Sequence, residues 1–275
     1  MWEMIPILQW AFLACLILAG IHCYLGLHIV SRGVIFVDIA LAQMAALGSA
    51  FALLLGYELN SPVAWAISLA ATFLGAGLFS LTRIREEKVP QEAIIGIVYA
   101  VGSAVTILIL DRAPHGDEAI KSMLVGGLLY VTSSSVLKIF GIYLLIGIFH
   151  YIFRKKFLLI STDIKEAYAK GLAVRWWDFL FYMTFGIVVT ISVQVAGVLL
   201  VFCYFIVPAV CAMLFTNRIM PRLIIGWVIG FLVSIIGLYF SAVWDLPSGA
   251  SIVAVSGIAL IISALARRLI ITRNA

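Results

Sequence analysis

The chain has 275 residues, of which 64% are hydrophobic and only 11% charged, with a net charge of +5 and a mean hydropathy of +1.18. A soluble globular protein, in which roughly a quarter of the residues are charged, is excluded. Each helix that crosses a bilayer takes up about 20 apolar residues, so the length accommodates eight to ten spans and leaves no room for a separate soluble domain.

The first residues, 1–6, carry Glu3 and lack the basic flank and small-residue cleavage site of a removable signal, so the first apolar run is expected to stay as a span. Apolar runs then follow at 5–30, 34–56, 62–81, 93–110 and 136–153, and after a charged loop at 179–193, 196–215, 223–243 and 251–265. That makes an all-α integral membrane protein of about nine transmembrane helices. The stretch 179–215 is too long for one span and leaves only the neighbourhood of Gln194 and Gly197 to break it into two. Cys15, Cys23, Cys203 and Cys211 all lie inside apolar runs, where cysteine acts as a small core residue and not as a disulfide framework. Nothing repeats at a fixed period, so residues 1–275 read as one continuous membrane domain.

Loop charge tests the count, because successive loops must alternate sides. Arg32; Arg83, Arg85 and Lys88; Arg154, Lys155, Lys156, Lys165, Lys170 and Arg175; Arg218 and Arg222; and Arg267, Arg268 and Arg273 all fall on one side. By the excess of basic residues that side is the cytoplasm, which puts the N-terminus outside and the C-terminus inside. The opposite loops, at 57–60, 111–121 and 244–249, carry mixed or acidic charge.

The cytoplasmic segment 162–171 is predicted to form a short helix. Asp163 caps it, Glu166 takes the capping-box position, Lys170 complements the negative end and Gly171 terminates it. About two turns of helix are marginal alone and need a surface to rest on. That surface is either the bilayer interface or a cleft on a cytoplasmic ATPase.

Polar groups within the spans are costly and mark pathways or helix contacts. His22 and His28 lie in the first span, Asp38 and Gln43 in the second, and Gln194 in the later pair. If the first two spans form a hairpin turning near Arg32, His28 and Asp38 are both shallow, while His22 and Gln43 lie ~15 Å from the turn at 1.5 Å per residue. Imidazole with carboxylate suits a divalent transition metal. The alternative is a pair of interhelical hydrogen bonds. No HExxH, GxSxG, phosphate loop or CxxC occurs, so catalysis by this chain is not expected, and ATP-driven transport would need hydrolysis on a separate subunit. The outer-loop residues Asp111, Arg112, His115, Asp117 and Glu118 read as a solvated, protein-facing surface.

Several segments, in order, resemble the permeases of zinc, manganese and iron ABC importers, which share their layout with the cobalamin and siderophore permeases. The marks are Arg32-Gly33-Val34-Ile35-Phe36-Val37-Asp38 leading to Leu47-Gly48, Glu92-Ala93-Ile94-Ile95-Gly96-Ile97-Val98, and Met123-Leu124-Val125-Gly126-Gly127-Leu128-Leu129. They continue with Glu166-Ala167-Tyr168-Ala169-Lys170-Gly171-Leu172, Val195-Ala196-Gly197-Val198-Leu199-Leu200, Ile206-Val207-Pro208-Ala209 and Asp245-Leu246-Pro247-Ser248-Gly249. The resemblance implies a permease moving a divalent metal inward by alternating access in a bacterial cytoplasmic membrane. It also implies a second permease copy, two ATPase subunits that carry the ATP, and an extracytoplasmic metal-binding protein docking over the loop from Asp111 to Glu118. This chain would bind no cofactor and no nucleic acid. Coupling to the ATPase would fall to Asp163, Ile164, Glu166, Ala167, Tyr168 and Ala169, and the ion would pass His22, His28, Asp38 and Gln43, with Asp38 and Gln43 as transient ligands.

One departure stands out. The family's second span usually carries an Asp and, four residues later, a His; aligned through Arg32 and Gly48 those positions are Ile39 and Gln43 here. Asp38 is adjacent, but one residue turns a side chain about 100° around a helix. Either the helix adjusts locally, or Asp38, Gln43 and His22 handle the ion differently, or the cargo is a chelated metal or a non-metal. A secondary transporter driven by protons through Asp38 and the histidines is the reading from another class; inverted halves, typical of such carriers, are not seen. An intramembrane enzyme using His22, His28 and Asp38 is disfavoured, because histidines six residues apart share a helical face poorly.

Overall fold

A computed structural model describes residues 5–59, 61–82, 90–112 and 126–274. Ten α-helices and one short 3₁₀ turn are present among them. They are α1 (Ile5–Arg32), α2 (Val37–Leu54), α3 (Pro62–Thr82), α4 (Gln91–Leu110), the 3₁₀ turn (Leu128–Tyr130), α5 (Ser133–Ile152), α6 (Arg154–Thr162), α7 (Ile164–Ala169), α8 (Val174–Phe215), α9 (Ile219–Trp244) and α10 (Ser248–Asn274). An all-helical solution is what hydrocarbon demands, since only a helix satisfies its backbone polar groups within one segment.

Eight of these helices are long and apolar enough to cross a membrane. The longest, α8, has 42 residues and would run ~63 Å, about twice the hydrocarbon thickness. It is interrupted at Gly197, whose φ of 75° and ψ of 160° are not helical, so it supplies two spans, 174–196 and 198–215. Eight long helices with one broken therefore match the nine runs read from the sequence, and the break falls where the turn was expected.

The chain forms two compact units, 1–30 with 125–147 and 195–275, and 31–124 with 148–194. In the second unit, α2 packs on both α3 and α4. Small residues make this possible: a side chain at Gly48 would stand 2.6 Å from the Ser68 Cα, and Ser68 Oγ donates to the Ala45 carbonyl at 2.8 Å. The first part of α8 joins through the hydroxyls of Thr72 and Thr190, 3.1 Å apart.

In the first unit, Trp227 Nε1 donates to the Gly20 carbonyl at 2.9 Å, and the hydroxyls of Tyr204 and Ser234 lie 2.6 Å apart. α9 ends at Asp245 in the left-handed conformation, which lets Ser241 accept from the Leu246 N–H at 3.1 Å and donate back to the Leu246 carbonyl at 2.7 Å. The break in α8 is covered by the segment before the 3₁₀ turn: Gly127 N–H donates to the Val195 carbonyl at 3.1 Å, and Gly126, at φ 69°, lies directly against Ala196 and Gly197.

Candidate functional site

α2 begins immediately after the turn that follows Arg32, and its second residue is Asp38. Its side chain is buried, 1% exposed, and neither carboxylate oxygen makes a well-formed hydrogen bond among the described residues. What it faces are the N–H groups of its own first turn, at Asp38 and Ile39, where the helix dipole favours a negative charge. Glu92, in the first turn of α4, lies close enough for its charge to act on Asp38. Glu92 Oε1 accepts from the Phe36 N–H at 3.0 Å, while its Oε2 is buried with no partner. The starts of α2 and α4 thus place two carboxyl groups within range of each other's charge, with three oxygen atoms left without hydrogen bonds among the described residues. Buried oxygens in that state are costly unless a cation or a proton meets them, and paired carboxylates suit a hard or borderline divalent ion such as manganese.

Gln43 is elsewhere on the helix. Five residues after Asp38, at about 100° per residue, it points to a different face, and its Nε2 donates to Thr106 Oγ1 on α4 at 3.1 Å. It is an interhelical hydrogen bond, but to α4 and not within the hairpin of the first two spans where such bonds were expected. The two histidines belong to the first unit. His22 is fully buried among Phe205, with ring centroids 4.2 Å apart, and Tyr204 and Tyr143, both at 6.3 Å; its Nδ1 meets the Leu18 carbonyl at 2.6 Å. His28 sits edge-on to Tyr24 at 4.9 Å. Among the described residues, no three His, Cys, Asp or Glu side chains cluster closely enough to hold a metal ion.

The predicted cytoplasmic helix is present as α7. Asp163 Oδ1 accepts from the Glu166 N–H at 2.9 Å, Lys170 and Glu166 pair at 2.6 Å, and Gly171 takes φ 71°. Ala167 does not face outward: it is fully buried against Ile160 and Val174 and anchors the helix. Asp163, Glu166 and Ala169 are exposed, along with Lys165, while Ile164 and Tyr168 are partly buried. Ala167→Asp is therefore expected to unseat α7 and lower the melting temperature, whereas Ala169→Asp, at an exposed position, is expected to leave it unchanged. On the opposite loop, Asp111 and Arg112 are exposed and only loosely paired at 3.7 Å, which contributes little to stability. His115, Asp117 and Glu118 lie outside the described residues.

Two buried polar residues, Asp178 and His150, carry no obvious mark in the sequence, and the half-buried Glu92 is marked only by its place in a family-like segment. Asp178 and His150 sit near the edges of apolar runs and look like loop-flanking residues. Yet Asp178 is fully buried against Arg32, and His150 stacks on Phe157 with Nε2 2.8 Å from Thr184 Oγ1.

Comparison with known proteins agrees with the fold and extends it. A manganese transport system membrane protein, MntC, of Listeria innocua is 29% identical over 256 residues, covering 93% of this chain and 89% of that protein. Its counterpart in Halalkalibacterium halodurans is 28% identical over 245 residues, covering 89% and 82%. The structure of PsaBC from Streptococcus pneumoniae in complex with Fab superposes with a TM-score of 0.78 at 22% identity, covering 94% of this chain and 90% of that one, and shows the same fold. The profile of the ABC 3 transport family matches residues 4–267, nearly the whole length, and the chain belongs to that family.

Proposed function

We propose that this chain is the permease of an ABC importer that carries a divalent transition metal ion into a bacterial cell, with manganese as the first candidate. The observation that carries the reading is the pair of carboxyl groups at the starts of α2 and α4, Asp38 buried and Glu92 half-buried, with three oxygens that have no hydrogen-bond partner among the described residues. Its position on a membrane helix and the manganese-transport relatives point the same way. The chain performs no hydrolysis; ATP is consumed on a separate subunit that docks at α7. The basic loops face that subunit, which puts the N-terminus outside, and the loop from Asp111 faces an extracytoplasmic metal-binding protein. A second permease copy completes the translocation path, and the chain works as one permease domain that binds no cofactor of its own.

Alternating access supplies the mechanism. A desolvated ion gains from the carboxyl pair what it loses in hydration, and it leaves when helix movement opens the pair to water. The test is reconstitution with the partner ATPase in vesicles loaded with a manganese-sensitive dye. Uptake that requires ATP and the ATPase supports the reading; uptake by the chain alone, driven by a proton gradient, overturns it in favour of a secondary transporter.

A further inference from the structure

The residue that closes α1 makes contacts far beyond what a loop-flanking arginine needs. Arg32 Nε donates to Ser161 Oγ at 2.8 Å and Nη1 donates to Asp178 Oδ1 at 2.8 Å, while the guanidinium carbon lies 3.8 Å from the centre of the Phe181 ring. Both charged side chains are fully buried. Ser161 passes the contact on, donating to the Phe157 carbonyl at 2.8 Å.

The sequence positions of these partners give the arrangement its meaning. Ser161 is the next-to-last residue of α6, two before the Asp163 that caps α7. Asp178 lies in the opening turns of α8, the helix that receives the chain after α7. The two segments that flank α7 are therefore gripped by one planar group. That group stands six residues before Asp38, joined to it through Gly33 at φ 69° and the short turn into α2.

A buried ion pair is a poor device for stability alone, because an apolar pair of similar volume is often as stable or more so. It is a good device for fixing relative position, since a guanidinium holds two acceptors and a ring face in set directions that an ammonium cannot reproduce. We infer that Arg32 is a positioning residue that couples the two membrane ends of the α7 segment to the start of α2, so that a push on α7 is delivered to Asp38. This rests on α7 being the ATPase contact. With Arg32, Ser161 and Asp178 in place, the flanks of α7 and the turn before α2 move as one body; without them α7 moves and α2 does not follow.

The experiment measures manganese ions taken up per ATP hydrolysed, in vesicles holding the permease with its ATPase. Arg32→Lys keeps the charge and the pairing with Asp178 but loses the fork, and Ser161→Ala removes only one branch. In both, ATPase assembly and hydrolysis are expected to persist while ions per ATP fall about tenfold, the size of an ordinary coupling energy. The double variant Arg32→Met with Asp178→Leu controls for folding: it is expected to keep or raise the melting temperature and still be uncoupled. A wild-type ratio in Arg32→Lys and Ser161→Ala, or in the apolar double variant, overturns the inference. If the wild-type complex itself shows no ATP-driven uptake, the importer reading fails and not the clasp.

Discussion

Replacing Asp38 with asparagine is expected to abolish metal uptake without lowering the stability of the protein. The two effects usually travel together, because most buried polar substitutions break a hydrogen bond, but here there is none to break: both oxygens of this buried carboxyl lack a well-formed partner. Leaving a buried polar group unsatisfied costs about 1–3 kcal/mol, and more when it is charged. Asparagine has the same shape and cannot ionise, so the change removes a carboxyl whose charged form is costly in this buried place and near Glu92. The melting temperature in detergent is expected to hold or rise, while uptake of manganese into vesicles falls to background. The opposite pattern, normal uptake with a lower melting temperature, would make Asp38 a structural residue and place the ion's path elsewhere. Gln43→Leu should behave in the other sense, losing some stability with the hydrogen bond to Thr106, whose hydroxyl keeps only its bond to the Gly102 carbonyl, because that amide is already committed to a helix contact.

Gly126→Val prevents the protein from folding to a stable state. The backbone at Gly126 is left-handed, at φ 69°, which by itself costs a non-glycine residue roughly 1–2 kcal/mol. The larger penalty is steric: any side chain there collides with the backbone of Ala196 and Gly197, which cannot yield as a flexible side-chain tip would. That contact also places Gly127 N–H on the Val195 carbonyl, next to the point where α8 is interrupted. Inside hydrocarbon an unsatisfied backbone group costs several kcal/mol, so separating these segments loses more than the clash alone. The expected result is loss of monodisperse protein on size exclusion in detergent. Gly20→Ala is the control, because nothing stands within 4 Å of the new methyl group and helix propensity improves. Equal behaviour of the two variants would show that the break in α8 does not depend on its cover.

The membrane class, the spans and the short capped helix were legible in the sequence because each rests on information that is local in the chain. A run of some twenty apolar residues is a span whatever it touches, and basic residues mark loops on one side. Asp163, Glu166, Lys170 and Gly171 announce a capped helix within ten residues, and α7 has that cap, that pair and that terminator. Even the interruption of α8 could be placed, since a stretch of that length must break and Gly197 is where it can.

What only the tertiary structure decided is which polar groups meet, because in a bundle those meetings join residues far apart in sequence. Reading along α2 paired Asp38 with Gln43; across the helices the charge of Glu92 acts on Asp38, and Gln43 is taken by Thr106. Arg32 read as an ordinary loop charge and Asp178 drew no reading, yet 146 positions apart they form a fully buried ion pair. Ala167 read as part of a docking surface and turned out to be the residue by which α7 is held down. The physical reason is common to all three. Hydropathy and capping depend on a residue and its near neighbours, whereas the partner of a buried polar group depends on which helix faces cross, and that is settled by packing over the whole unit.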